Sequence, residues 1–314
     1  MTKKRPLSKK IRDTTLYLLS LLIIKMLRLT PRRPAIAFMR LVGRAFFLLA
    51  GPARRRTIKH LTMVYGNEME AREIDALARK VFIHFATVTC DLLRMPNLIR
   101  SGLEQLVSVE GKEHLDNSVG ADQGAILVTC HFGNFELIGA WLAQNGYPMK
   151  VVGTSLYDPR FDRILLEIRE NAGNTMIAKG KGTREIIRAL KNHELVGMLT
   201  DQDTDVKSVF VNFFGRPAKT PTGPAVLARR LDVPIIPAFM YLLDDLSYHI
   251  VCQPPLELAK SDDEEEDIRI NTQKISDAYE AMIRRFPEQW GWMHKRWRTQ
   301  PKPVILDDSL DVEP

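Results

Sequence analysis

From residue 124 onward, short apolar runs alternate with segments whose apolar positions recur every three or four residues, the two periods that separate strands from amphipathic helices. Residues 124–130 read as a buried strand opened by a glycine, and Leu137, Ile138, Trp141 and Leu142 mark one side of a helix over 135–144 with Asn134 as its N-cap. Asn145-Gly146 separates that helix from a strand at 149–153. Asp158-Pro159 opens a helix that runs to about residue 171 and stops at Gly173. Strands at 175–178 and 195–199 flank a helix at 183–191. A helix at 222–231, strands at 234–241 and 248–252, and a helix at 268–285 complete the series. Such alternation predicts an α/β fold, a three-layer α/β sandwich with helices on both faces of the sheet. Residues 52–115 instead read as helical, punctuated by Pro96 and Gly111. The acidic run 261–267 reads as a solvated loop, and residues 304–314 lack periodicity and are expected to form a disordered tail.

Ahead of this body, residues 1–50 carry a different pattern: apolar runs at 14–24 and 45–50 are interrupted and flanked by Lys and Arg. The chain of 314 residues has a net charge of +7, but the first 60 residues alone hold 16 basic side chains against one acid, Asp13. The rest of the chain is therefore net acidic. Basic charge around apolar runs too short to span a bilayer predicts a helical anchor lying on or dipping into an anionic membrane surface. The domain reading is an anchor at 1–50, a body at 51–303 and the tail at 304–314. Cys90, Cys130 and Cys252 are odd in number and widely spaced, which suits a reduced, cytosol-facing body and argues against a disulfide framework or zinc site.

His131 follows the first strand of the alternating region, and Glu136 lies five residues on, at the start of the next helix. An imidazole and a carboxylate at the carboxyl edge of a parallel sheet have the composition of a general base with its orienting group. Loop polarity and the helix dipole explain the same two residues without chemistry. The strand at 195–199 ends in Asp201-Gln202-Asp203, so Asp201 and Asp203 either bind substrate, hold an arginine or make an Asx turn. Arg169 either binds an anion or satisfies the last carbonyls of its helix. Lys181, Arg184, Arg188 and Lys191 share a basic face that is either solvated or docks an acidic carrier or a phosphorylated substrate. The Trp292–Arg298 segment interleaves aromatic and basic residues, which suits a membrane interface or a lipid phosphate. No nucleic-acid-binding signature accompanies it. Metal-helix, phosphate-loop and nucleophile-elbow motifs are absent, so no metal or other cofactor is expected. Cys130, on the face opposite His131, reads as core.

Taken in order, the stretch from His131 to Glu136, Asp201-Gln202-Asp203, the blocks at 208–215 and 217–220, the Trp292–Trp297 stretch and the basic, apolar N-terminus resemble the bacterial lipid A late acyltransferases of the lauroyl/myristoyl type. These belong to a wider His-x4-Asp/Glu glycerolipid acyltransferase-like group. The resemblance implies the glycerolipid acyltransferase fold and acyl transfer from an acyl carrier protein or acyl-CoA thioester to a hydroxyl of a lipid A precursor. It makes His131 the general base and Glu136 its orienting carboxylate, with backbone N–H groups around Gly133 serving the oxyanion. Arg169, Asp201, Asp203, Asn134, Lys181, Arg184 and Arg188 become substrate-binding residues. It also implies no cofactor, no nucleic acid, an anionic membrane surface as partner, and the bacterial inner membrane with the catalytic domain facing the cytoplasm. Glu136 in place of the Asp of glycerolipid members tilts the acceptor away from glycerol phosphate. A lysophospholipid or mannosylated lipid remains the alternative acceptor, and a non-enzymatic peripheral membrane protein the alternative class.

Overall fold

The computed structural model describes residues 7–120, 124–147, 149–153, 156, 158–178 and 182–301. The tail at 304–314 lies outside them. Helices α1 (Leu7–Leu29), α2 (Arg32–Leu49), α3 (Gly51–Tyr65), α4 (Ala71–Leu93) and α5 (Met95–Arg100) come first. The helical reading of 52–115 then fails at β1 (Val107–Glu110), which pairs parallel with a strand 141 residues away, Val107 opposite Tyr248. Four residues are too few to establish a period, and only that distant pairing makes them a strand.

After α6 (Lys112–Gly120) the alternation proceeds as the pattern predicts: β2 (Ala125–Thr129), α7 (Phe135–Gln144), β3 (Met149–Gly153), α8 (Pro159–Asn171), β4 (Thr175–Ala178), α9 (Thr183–Lys191) and β5 (Leu195–Leu199). Asp158 caps α8 through the Arg160 N–H, and Gly173, at φ 95°, follows its end. An unforeseen hairpin, β6 (Ser208–Phe213) and β7 (Arg216–Pro221), forms a separate antiparallel pair. Its two-residue turn has Phe214 at φ 54° and Gly215 at 72°. This is the left-handed pair that a tight hairpin needs, but Phe is not the residue that announces it. Then come α10 (Gly223–Leu231), β8 (Ile235–Leu242), β9 (Tyr248–Cys252) and α11 (Glu264–Arg285). The acidic run is not a loop: Asp263 caps α11, and Glu264 to Asp267 fill its first turn, where the helix dipole favours negative charge.

The main sheet has seven strands in the order β1-β9-β8-β2-β5-β3-β4, with only β8 and β9 antiparallel. Alternate residues of β2 feed opposite cores. Ala125 and Leu127 pack with Leu137 and Ile138 of α7 and Ile168 of α8. Ile126, Val128 and Cys130 pack with α4, α9, α10 and α11. Helices thus cover both faces, which is why the central strands are apolar throughout.

The N-terminal helices are built into this body on one side only. α2 buries Ala35, Ile36, Met39 and Phe47, and Gly43 lets it approach α4 so closely that a Cβ there would lie 2.9 Å from the Ala86 Cβ. The opposite sides of α1 and α2 leave Leu18, Leu19, Leu22, Leu41, Phe46, Leu48 and Leu49 exposed. Among the described residues no single helix is long and apolar enough to cross a membrane. Only α2 and α3 taken together reach that length and composition, and they are bent by 88°.

Candidate active site

β2 and β5 are adjacent and parallel, with Thr129 opposite Leu199. The residues two beyond each, His131 and Asp201, therefore meet at the carboxyl edge of the sheet. The His131 Nδ1 lies 2.7 Å from Asp201 Oδ1, and its backbone N–H donates to Oδ2 at 2.9 Å. Trp290 Nε1 donates to the same Oδ2 at 2.9 Å. Burial alone would raise the Asp201 carboxyl, but the facing imidazole and the hydrogen bonds from His131 and Trp290 together hold it well below the usual carboxylate range. An ionised Asp201 accepts from Nδ1–H, which leaves the Nε2 lone pair of His131 as the basic site. On that side stands Gln202, whose Nε2 is 3.0 Å from His131 Nε2 and 3.0 Å from His294 Nε2. Phe135 lies edge-on to His131, with ring centroids 4.9 Å apart.

The dyad expected from spacing is thereby corrected. Glu136 turns away from His131 and takes a bidentate pair from Arg169, with Nε to Oε2 at 2.8 Å and Nη2 to Oε1 at 2.5 Å. The physical reason is helical geometry: Glu136 sits in the first turn of α7 on the side toward α8, whereas Asp201 arrives level with His131 through strand register. Arg169 and Glu136 instead line a small cavity of about 20 Å³ with Leu127, Thr129, Phe135, Ile138, Met149 and Leu199. Phe135 lines this cavity and also flanks the imidazole.

Other expected residues are spent elsewhere. Asn134 caps α7 through the Leu137 N–H and donates to the Tyr248 hydroxyl at 3.0 Å, 2% exposed, so it has no face left for substrate. Asp203 accepts from the Thr299 N–H at 2.7 Å and from Arg298 at 3.2 Å, so its carboxylate is engaged by the segment at 298–299. Asp201 itself serves His131 rather than substrate. The backbone around Gly133 offers no oxyanion site: Phe132 N–H bonds Cys130 O, Gly133 N–H bonds Gln289 O, and Asn134 N–H bonds Met240 O. Arg184 and Arg188 are exposed on α9, and Lys181 lies outside the described residues. Trp292 and Arg296 of the aromatic and basic segment are buried and Trp297 is half-buried, so its aromatic residues belong to the core, while Lys295 and Arg298 are exposed. Burial lowers the Arg296 guanidinium to about 10. Cys130 is fully buried below the site, and burial pushes its thiol well above the ordinary range. Among the described residues no cluster of His, Cys, Asp and Glu has the makings of a metal site.

The bacterial lipid A biosynthesis acyltransferase family model matches residues 1–299. The chain belongs to that family. It is an acyltransferase, and the family implies an acyl donor and a lipid-like acceptor. Its relatives divide by acceptor. The phosphatidylinositol mannoside acyltransferase of Mycolicibacterium smegmatis is 26% identical over 251 residues, 79% of this chain and 80% of that protein. The lipid A biosynthesis lauroyltransferase of Escherichia coli is 30% identical over 62% of this chain and 63% of its own length. The lipid A biosynthesis acyltransferase of Haemophilus influenzae is 28% identical over 63% and 61%. The chain thus spans less than two thirds of the length of these two lipid A relatives, but 83% of the lipid A biosynthesis acyltransferase 1 of Shigella flexneri, at 24% identity.

Proposed function

We propose that the protein transfers an acyl chain from a thioester, carried by acyl carrier protein or CoA, directly to a hydroxyl of a lipid A precursor. The observation that carries this reading is the His131–Asp201 pair at the sheet edge: an ionised carboxylate on Nδ1 and a basic Nε2 turned outward. His131 removes the hydroxyl proton as the oxygen attacks the thioester carbon, and Asp201 stabilises the imidazolium. The leaving thiolate then takes that proton. Direct attack fits a site in which the adjacent thiol, Cys130, is buried and held protonated. The apolar lining beside Phe135, with the Arg169–Glu136 pair behind it, suits contact with the acyl chain next to the thioester, although the cavity itself holds no more than about one water-sized group. Exposed Arg184 and Arg188, on a helix that begins at the same sheet edge, suit an acidic carrier or sugar phosphates.

The exposed apolar row on α1 and α2, with Arg33 and Arg44 beside it, suits docking to the anionic inner membrane, with the body on the cytoplasmic side where acyl thioesters are made. Anionic vesicles should sediment the wild-type protein, and Leu22→Glu with Leu49→Glu should leave it in the supernatant. Equal sedimentation of both would exclude this surface as the dock. The similarity to the mannolipid relative supports a second acceptor, a phosphatidylinositol mannoside. Purified enzyme given lauroyl-CoA and each acceptor, with products read by mass spectrometry, separates the two. His131→Ala should lower kcat about 10²–10⁴-fold. Unchanged transfer by a folded His131→Ala protein would rule out the general-base role.

A further inference from the structure

Acyl transfer through a tetrahedral intermediate needs hydrogen-bond donors aimed at the oxygen on which charge develops. The catalytic loop supplies none from its own backbone, because the N–H groups of His131, Phe132, Gly133 and Asn134 are each engaged, with Asp201 Oδ2, Cys130 O, Gln289 O and Met240 O. A side-chain donor next to the basic nitrogen is therefore the group to look for.

Gln202 has the required placement. Its amide nitrogen stands 3.0 Å from two imidazole nitrogens at once. Both contacts are hydrogen bonds only if the two amide hydrogens point outward, one to each Nε2 lone pair. His131 meets that condition because its Nδ1 carries the proton donated to Asp201. His294 meets it when neutral, and burial, then the nearby His131, lower its basicity. One amide hydrogen is thus anchored on His294, and the other caps the base.

We propose that Gln202 is the oxyanion donor of this acyltransferase and that His294 is the positioning residue that aims it. This deepens the thioester reading above and rests on it. When the acceptor hydroxyl binds His131 Nε2, it displaces the capping hydrogen, while the second hydrogen keeps the amide tethered to His294. The freed N–H then lies beside the attacking oxygen, and the thioester oxygen is bonded to the carbon under attack. The hydroxyl proton passes to Nε2, the new C–O bond forms, and the C=O π pair moves onto oxygen, where it accepts from Gln202. Collapse re-forms the carbonyl, breaks the C–S bond and returns the proton from His131 to the departing sulfur. In the resting enzyme the same hydrogen bond covers the base.

The test measures steady-state transfer from lauroyl-CoA to a lipid A precursor and, separately, to a phosphatidylinositol mannoside, using full-length protein. Gln202→Met keeps the side chain's length and removes both donors. It should lower kcat about 100-fold or more, the cost of one oxyanion donor, with KM within about threefold. His294→Phe should lower kcat about tenfold, and His294→Gln, whose carbonyl also accepts from the amide, should recover most of that loss. Denaturant unfolding of each variant separates these effects from misfolding. Should Gln202→Met fail to fold, Gln202→Glu, which keeps the shape but presents acceptors only, must show the same loss of kcat. Wild-type turnover with an unchanged kcat in Gln202→Met overturns the proposal and passes the role to the first-turn N–H groups of α7. Absence of turnover by the wild type with either acceptor, from lauroyl-CoA and equally from lauroyl-loaded acyl carrier protein, overturns the thioester reading and the oxyanion donor with it.

Discussion

Asp201 accepts three hydrogen bonds at 2% exposure, and two come from the residue it orients. Such a carboxylate selects one imidazole tautomer and one ring direction. Asp201→Asn, able to present an N–H toward Nδ1, is expected to lower kcat about 10³–10⁴-fold through the wrong tautomer while the fold survives. Glu136 belongs to a different unit. In double-mutant cycles read by unfolding, Glu136→Gln and Arg169→Met should show an interaction of about 0.5–3 kcal/mol, whereas Glu136→Gln and Asp201→Asn should add. Coupling in the second cycle but not the first would restore Glu136 as the partner of His131. The spacing of His131 and Glu136 suggested a dyad because only neighbours along the chain are visible in a sequence. Gln202 stood in the Asp-Gln-Asp cluster and His294 in the Trp-rich segment, but an uncharged amide and one imidazole among cations gave no signal of their own.

At the scale of elements, the loop after β2 is tied to the N-terminal helices by a buried chain of polar groups. Asn134 donates to the Tyr248 hydroxyl, which donates to Asp91 at 2.7 Å. Arg32, at the start of α2, closes the chain with a bidentate pair to Asp91, its Nη2 at 2.7 Å from Oδ2. Asp91 is fully buried, so removing its cation leaves an uncompensated charge. Arg32→Met is expected to cost about 3–5 kcal/mol, and Tyr248→Phe about 1–3 kcal/mol, both read by denaturant unfolding. A cost below about 1 kcal/mol for Arg32→Met would mean that the pair is solvated in solution. The elements that were legible, β2 to β5 with α7 to α9, have a clear apolar period and local caps. β1 and the β6–β7 hairpin were not, because a distant partner makes the first and a Phe in a left-handed conformation turns the second.

Across the whole molecule, two buried histidines, His60 and His84, and the half-buried His294 set a pH limit on stability. Burial pushes His84 from 6.5 down to about 4, and burial first, then neighbouring cations, also lowers His60 and His294. Depressed histidines leave the folded state neutral while the unfolded chain takes up protons below 6.5. Their contribution is therefore complete above that pH and is lost as pH falls toward about 4. His84 alone accounts for about 3 kcal/mol at the acid end. Asp201 has linkage of the same sign, but its depressed carboxyl loses stability only as pH falls below the ordinary carboxylate range, so the loss in this window belongs to the histidines. Denaturant unfolding should show lower stability at pH 5 than at pH 7.5, with a smaller difference in His84→Gln. Equal stability at both values would contradict a neutral, buried His84.

The alternation of strands and helices, the position of His131 at a strand end, the reading of Cys130 as core and the basic, apolar character of the N-terminal helices are all legible along the chain. Periodicity, capping and charge are local properties, readable from neighbours. Which carboxylate faces His131, and which amide lies across its basic nitrogen, was decided only by the pairing of β2 with β5 and by the return of the chain at Trp290 and His294. Those contacts join residues about seventy to ninety positions apart along the chain. Their geometry depends on strand register and core packing, which no window of sequence contains.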